Sequence, residues 1–137
     1  MKTASLSVAA AVALLFPGGC IPATVAYLSV PIELTERNTP FFIQKKALRD
    51  GSGGPGAQRG GDGQEVTLEH KGDSEIGVIF MAERQRHPAH GLAGGEAGAN
   101  GEVLIDGAPA DVRADHVLQP GQTVTLKLPG GGGYGAV

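Results

Sequence analysis

Residues 123–135 read TVTLKLPGGGGYG, a strand-like sequence that continues directly into a block of glycines. Polar and apolar side chains alternate from Thr123 to Leu128, which is the period of a half-buried β-strand. Glycine is costly in conformational entropy, so a folded chain places it where φ is positive or where two backbones approach closely. This stretch therefore indicates a β-rich fold in which glycine blocks alternate with short strands.

Glycine is concentrated in three blocks of the sequence. Of the 137 residues 23 are glycine, and most lie in block A (residues 50–63), block B (90–101) and block C (129–135). Asp106-Gly107 is a strong signal for a β-hairpin turn. It follows a strand predicted at 102–105, and a return strand is predicted near 110–112.

Further strands are predicted from the apolar runs between the blocks. They cover residues 26–36, 41–48 and 65–70, and a more continuous apolar strand at 75–81 is expected to be covered on both faces. Residues 116–122 are predicted as a loop with a Pro-Gly turn. Since no segment after residue 16 shows a sustained helical period, we predict a mainly β fold, an antiparallel sandwich or barrel-like module with long Gly-rich loops.

Composition limits the core and the classes of partner. Only 4% of the residues are aromatic and none is tryptophan, so the core is expected to be mostly Val, Leu and Ile. The net charge of −3 gives no reason to expect nucleic acid or an acidic membrane as partner. Cys20 is the single cysteine and cannot form an internal disulfide, and no zinc-ligand spacing is present.

Residues 1–28 form a separate apolar segment, with helical potential, before a β-rich part at 29–137. Lys2 followed by the apolar run from Ala4 to Phe16 has the outline of a signal peptide, and that run is too short to span a bilayer. Gly18-Gly19-Cys20 resembles the end of a lipoprotein cleavage box. Three interpretations remain: an export signal, an internal apolar element of a larger protein, and a spurious start or frameshift.

Candidate chemistry is concentrated in residues 83–90. His87 and His90 have a spacing used by metal ligands, with Glu83 upstream, but Pro88 disfavours a helix and no third ligand is near, so solvent-exposed loop histidines are favoured. The charged run from Glu83 to Arg86 follows an apolar strand. It could orient an anionic group, or form an internal ion-pair cluster that locks the glycine loop.

Two other kinds of site receive less support from the sequence. Block A lacks the Gly-Lys-Ser/Thr ending that a phosphate-binding loop needs, and a strand follows it rather than a helix. Ser52 and Ser74 have no neighbouring base that would activate a nucleophile.

Taken in order, the motifs resemble the C-terminal part of the hydantoinase B/oxoprolinase family from Pro31 to Gly135. The resemblance is carried by PIELTER (31–37), LR (48–49), SGGPG (52–56), RGGDGQ (59–64), MAERQRHP (81–88), GLAGG (91–95), GANG (98–101), LQPG (118–121) and PGGGGYG (129–135). Single glycine motifs are weak, but a series in the right order is specific. Gln85 and His87 stand where the family commonly has arginine and an aromatic residue.

The resemblance implies a fragment of an ATP-dependent enzyme. Family members are B-type subunits or domains of enzymes that open five-membered cyclic amides such as 5-oxoproline and hydantoins. An A-type subunit supplies the nucleotide chemistry, so the implied partners are that subunit and the missing N-terminal portion of the B-type subunit. ATP and a divalent metal belong to the complete enzyme, and no cofactor is predicted on this chain.

The resemblance also implies a site and a location. Arg84, Arg86 and His87 are the candidates for substrate binding, and no catalytic or metal residue is assigned. The chain is expected to be cytoplasmic and inactive alone. The alternatives are a β-module exported through Met1–Cys20 with a non-catalytic binding role, and a pseudogene product that hardly folds.

Overall fold

A computed structural model describes residues 31–136 of the chain. The elements in chain order are α1 (Ile32–Asn38), β1 (Phe41–Arg49), β2 (Gly63–His70), β3 (Ile76–Val78), β4 (Glu102–Ile105), β5 (Ala108–Pro109), β6 (His116–Leu118) and β7 (Thr123–Lys127). Residues 1–28, predicted as an apolar segment with helical potential, lie outside the described residues.

The strands form two antiparallel sheets. One has five strands in the order β1-β2-β7-β4-β5, and β3 pairs with β6 in a second sheet of two strands. The mainly β, antiparallel fold is therefore as predicted. The five-stranded sheet is open, so the described residues form no closed barrel.

One hydrophobic core joins the two sheets. On β7, Val124 and Leu126 are buried and their neighbours are only partly buried, as the alternation of the sequence predicts. Val124 lies opposite Leu68 of β2 in the pairing register. The other buried side chains of this cluster are Phe41, Ile76, Val78, Phe80, Val103 and Leu118. The core is aliphatic as predicted, apart from two phenylalanines.

The prediction of a strand at 26–36 is wrong where the structure describes it. Ile32–Asn38 is a helix that follows Pro31, whose φ of −53° suits a helix start. Glu33 in the first turn and Arg37 in the last turn both complement the helix dipole. The Glu36 carboxylate accepts a hydrogen bond of 3.0 Å from the Ile43 amide, which connects the helix to β1.

The prediction that residues 75–81 are covered on both faces is also wrong. Only Ile76–Val78 is a strand, and it pairs with β6 alone. Val78 and Phe80 are buried, whereas Ile79 and Met81 are 59% and 53% exposed. The segment thus alternates between core and solvent, because only one of its faces packs against the hydrophobic core.

The hairpin at Asp106-Gly107 is confirmed, and its return strand begins earlier than predicted. The two turn residues have φ of +48° and +79°, as a two-residue type I′ turn requires. This tight turn pairs Ile105 directly with Ala108, so the return strand is Ala108–Pro109 and not 110–112.

The predicted loop at 116–122 contains a strand. His116–Leu118 forms β6, and only the turn at Pro120-Gly121 fits the prediction. Leu118 is fully buried opposite Ile76. Three residues are too few for a periodic pattern to be visible, so pairing with β3 decides the conformation here.

The three glycine blocks pack against one another. Every pair of blocks exchanges backbone hydrogen bonds of 2.8–3.1 Å. They include Gly54 to Gly131, Tyr134 to Gln58, Glu96 to Pro55, Gly133 to Glu96 and Gly130 to Ala99, with the donor amide named first. Each block is thus bonded to the other two, and the three form what we call the glycine stack.

Close approach of backbones explains why this stack is built from glycine. A methyl group on Gly130 would collide with the carbonyl group of Ser52, and one on Gly133 would collide with that of Pro55. Both glycines are buried. Side chains are therefore excluded between the blocks, and these glycines pack against backbone of this same chain.

Candidate functional site

A half-open cleft of about 620 Å³ lies beside the glycine stack. One wall is the segment from Ala82 to Pro88 together with His90, and the other is Asp111 to Arg113. The structure thus brings together Arg84, Arg86 and His87, the three residues predicted to bind substrate. It adds Arg113, which the sequence did not indicate.

The glycine stack holds the arginine wall in place. The Gly101 amide donates a hydrogen bond of 3.0 Å to the Arg84 carbonyl, and the Gly98 amide donates one of 3.0 Å to the Ala89 carbonyl. Both donors belong to block B, which is bonded to blocks A and C. The loop that carries Arg84 and Arg86 is thereby fixed near both of its ends.

Two unfavourable features occur in neighbouring residues of this wall. Arg84 has φ of +58°, in the left-handed region that costs a residue with a Cβ about 1 kcal/mol or more. The Nε2 atom of Gln85 is buried and has no hydrogen-bond partner among the described residues. Strained backbone and unpaired polar groups are concentrated at functional sites, because selection for stability alone removes them.

Contacts with the hydrophobic core hold the second wall of the cleft in position. The carboxylate of Asp111 accepts a hydrogen bond of 3.0 Å from the Arg113 amide, and its carbonyl lies 2.7 Å from Nε2 of His116. The His116 ring packs against the buried Phe80 at 5.5 Å between centroids. A chain of contacts therefore connects the hydrophobic core to the loop that carries Arg113.

The cleft has unpaired positive charge. Within residues 31–136 the guanidinium groups of Arg84, Arg86 and Arg113 make no hydrogen bond or ion pair. Glu83 and Asp111 are the carboxylates of the lining, so the formal charge is +1 with the histidines neutral. The ion-pair cluster that the sequence left open for residues 83–86 is not formed in the part of the chain described.

The two histidines of this loop do not form a metal site with other described side chains. His87 and His90 are exposed and line the same cleft. Residues 31–136 contain no group of three or more histidine, cysteine or carboxylate side chains that could hold a metal ion.

Ser52 lies in the glycine stack and is buried there. Its hydroxyl accepts a hydrogen bond of 2.7 Å from the Gly63 amide, and the Asp62 carboxylate accepts one of 2.8 Å from the Gly53 amide. The Gly53 amide, followed by the charge of Arg59, holds the pKa of Asp62 below its usual value. These contacts connect the two ends of block A.

His70 is a buried histidine outside the cleft, and no sequence motif indicated its burial. Its Nε2 lies 2.8 Å from the Ser74 carbonyl, and its Nδ1 lies 3.3 Å from both the Pro40 carbonyl and the Gly72 amide. The ring packs against Phe41 at 5.6 Å between centroids. Both ring nitrogens have partners, so the residue cross-links the start of β1 to the turn before β3.

Comparison with sequence models of protein families identifies the family of this chain. The sequence model of the hydantoinase B/oxoprolinase family matches residues 19–137, which include all three glycine blocks and both walls of the cleft. The chain belongs to the hydantoinase B/oxoprolinase family. The match begins twelve residues before Pro31, where the first of the family-like motifs lies.

Over the aligned regions, about a third of the residues are identical between this chain and curated relatives. The 5-oxoprolinase PfmaA of Pestalotiopsis fici is 34% identical over 113 residues, covering 75% of this chain and 9% of that protein. The 5-oxoprolinase of Saccharomyces cerevisiae is 34% identical over 109 residues, covering 75% and 8%. The caprolactamase subunit beta of Pseudomonas jessenii is 33% identical over 124 residues, covering 80% and 20%.

The chain therefore spans at most a fifth of the length of these relatives. Within residues 31–136, no helix has both the length and the apolar character needed to cross a bilayer. The segment Met1–Cys20, on which the export alternative depends, lies outside the described residues.

Proposed function

We propose that this chain is the glycine-scaffolded C-terminal part of a B-type subunit in an ATP-dependent enzyme that opens cyclic amides. The observation that carries the proposal is the family match over residues 19–137. The cleft beside the glycine stack adds to it, because Arg84, Arg86 and His87 lie together on one wall. Under this proposal the three residues contact the substrate.

Opening a cyclic amide requires activation of its carbonyl group. The amide is stabilised by resonance and is a poor electrophile until its oxygen is activated, for which ATP supplies the driving force. Cationic groups that are already in position can stabilise negative charge on a carbonyl oxygen or hold an anionic substituent. The role of this chain would be to position a substrate, while the chemistry of ATP takes place elsewhere in the enzyme.

Under this proposal, ATP and the divalent metal bind to other parts of the complete enzyme. The described residues offer no group of three metal ligands, and block A has no lysine followed by Ser or Thr. The proposed partners are an A-type subunit, which supplies the nucleotide chemistry, and the larger N-terminal portion of a B-type subunit.

The proposal is tested by complementation. The purified chain is assayed for ATP-dependent opening of 5-oxoproline, alone and after mixing with an A-type subunit and a B-type subunit truncated before the matching region. We expect no turnover by the chain alone and turnover by the mixture. The truncated mixture without the chain is the first control. The Gly130→Ala variant, in which the added methyl group disrupts the glycine stack, is the second control.

Two results would contradict the proposal in different ways. Turnover by the chain alone would show that it is catalytically complete. A correctly folded chain that restores no activity with 5-oxoproline, a hydantoin or caprolactam would remove the assignment to cyclic amide opening.

A further inference from the structure

The geometry points to the class of ligand that the cleft takes: we propose that the cleft between the Arg84–Arg86 loop and Arg113 binds a small molecule through a carboxylate group. The described part of the chain has ion pairs at Lys45, Arg59, Lys71 and Lys127, and none of these lies in the cleft. The cleft arginines are unpaired although Glu83 and Asp111 line the same cavity. They are available to a ligand.

The cleft differs from an ordinary solvated patch of surface charge in that its walls are held in place. Its walls come from segments that are more than twenty residues apart, and the backbone of each is held by hydrogen bonds. Block B holds the Arg84 and Ala89 carbonyls, and His116 bonds to the Asp111 carbonyl. A flexible arginine loses rotamer entropy when it binds, and walls held in place reduce the part of this cost that comes from the backbone.

The strained residue and the unpaired amide also lie in this wall. Arg84 is only partly exposed and adopts a backbone conformation that asparagine or glycine would adopt with less strain. The buried amide nitrogen of the adjacent Gln85 has no acceptor among the described residues. Because both features reduce the stability of the fold, they indicate that this segment has a functional role.

The charge of the lining selects among anions. Three arginines and two carboxylates leave a formal charge of +1, which one carboxylate neutralises and a phosphate dianion exceeds. Planar guanidinium groups bind both carboxylates and phosphates through paired hydrogen bonds, so the net charge of the lining is what favours a carboxylate. A carboxylated cyclic amide such as 5-oxoproline fits this requirement, whereas caprolactam carries no charge. The choice of 5-oxoproline rests on the proposed function, but the carboxylate site does not.

The experiment measures binding to the full chain without turnover. The chain is titrated by NMR or calorimetry with 5-oxoproline, with acetate as a simple carboxylate, with inorganic phosphate, and with the neutral lactams 2-pyrrolidinone and caprolactam. We expect saturable binding of 5-oxoproline, weaker binding of acetate and of phosphate, and no detectable binding of the neutral lactams.

The variants identify the site. Arg84→Gln and Arg113→Gln should each weaken 5-oxoproline binding about tenfold or more, as expected for loss of a charge-assisted hydrogen bond. Arg37→Gln is the matched control, since Arg37 is exposed on α1 and does not line the cleft. Circular dichroism melts show whether each variant is folded.

Every outcome bears on the proposal. Failure of both 5-oxoproline and acetate to bind, or equal binding by Arg84→Gln and Arg113→Gln, overturns it. Tighter binding of phosphate than of 5-oxoproline overturns the assignment to a carboxylate. Binding that is lost in the variants supports the site even if complementation yields no turnover, so failure of the proposed function remains distinguishable.

Discussion

The Gly101 amide donates a 3.0 Å hydrogen bond to the carbonyl of Arg84, whose φ is +58°. Gly101 is buried where block B meets β4, while the Arg84 side chain reaches the cleft. The hydrogen bond holds the Arg84 carbonyl in the direction that the left-handed conformation gives it. The packing of the glycine stack and the geometry of the cleft are therefore coupled at this pair of residues.

This pair predicts opposite changes in stability and in binding. Arg84→Gly and Arg84→Asn should leave the free energy of unfolding unchanged or raise it by up to about 1 kcal/mol, because both residues tolerate positive φ. The same variants should bind 5-oxoproline about tenfold more weakly, because the guanidinium group is gone. Urea denaturation and calorimetric titration of each variant provide the two measurements.

Arg113→Gln is the control for this trade-off. It removes a cleft arginine whose φ is not positive, so binding should weaken without a gain in stability. If Arg84→Gly lowers stability by several kcal/mol, the Arg84 side chain is a structural contact and not a ligand-binding group.

The glycine stack predicts a sharp contrast between two glycine positions. Gly130→Ala places a methyl group against the Ser52 carbonyl and should cost about 2–3 kcal/mol or more, as overpacking of rigid backbone does. Gly61→Ala has no heavy atom within 4 Å of the new methyl group and should change stability by less than about 0.5 kcal/mol. Chemical denaturation measures both. Equal stability of the two variants would contradict the packing of block C against block A.

The parts of the fold that the sequence predicted are those with local signals. β7 has five residues of clean alternation, and Asp106-Gly107 specifies its turn by backbone conformation alone. By contrast, β6 has three residues and depends on pairing with β3, about forty residues earlier. The helix at Ile32–Asn38 is too short to show a period.

Only one wall of the candidate site could be predicted from the sequence, for a related reason. Arg84, Arg86 and His87 are neighbours in sequence, so their grouping could be predicted. Arg113 comes 27 positions after Arg86, and its place in the cleft depends on the β4–β5 hairpin and on the bond between His116 and Asp111. Mutual packing of the glycine blocks was not predictable either, because a glycine run does not specify its neighbour.

Substitution of Ser52 is expected to lower stability without changing ligand binding in the cleft. Ser52→Ala removes the acceptor of the Gly63 amide and should cost about 1–3 kcal/mol, because a buried amide is left unpaired. Binding of 5-oxoproline should be unchanged, since Ser52 does not line the cleft. Ser74→Ala is the control, because Ser74 is exposed and contributes only its carbonyl. Loss of turnover in the complementation assay with stability retained would instead indicate a nucleophile.

Asp62 predicts how stability depends on pH. Its pKa is lowered in the folded chain, first by the Gly53 amide, so its carboxylate stabilises the fold above the unfolded pKa of about 3.9. That contribution is lost as the pH falls through the lower, folded pKa. The free energy of unfolding of the native chain should therefore decrease between pH 6 and pH 3.

Asp62→Asn isolates this contribution. The variant should be less stable than the native chain at pH 6, and the difference should shrink towards pH 3. Some pH dependence remains because the pKa values of Asp106 and Glu69 are also lowered, the first chiefly by the Thr123 amide and the second chiefly by Lys71. Asp73→Asn, an exposed carboxylate of the turn before β3, should follow the native curve. If Asp62→Asn also follows the native curve, the Asp62 carboxylate does not stabilise block A.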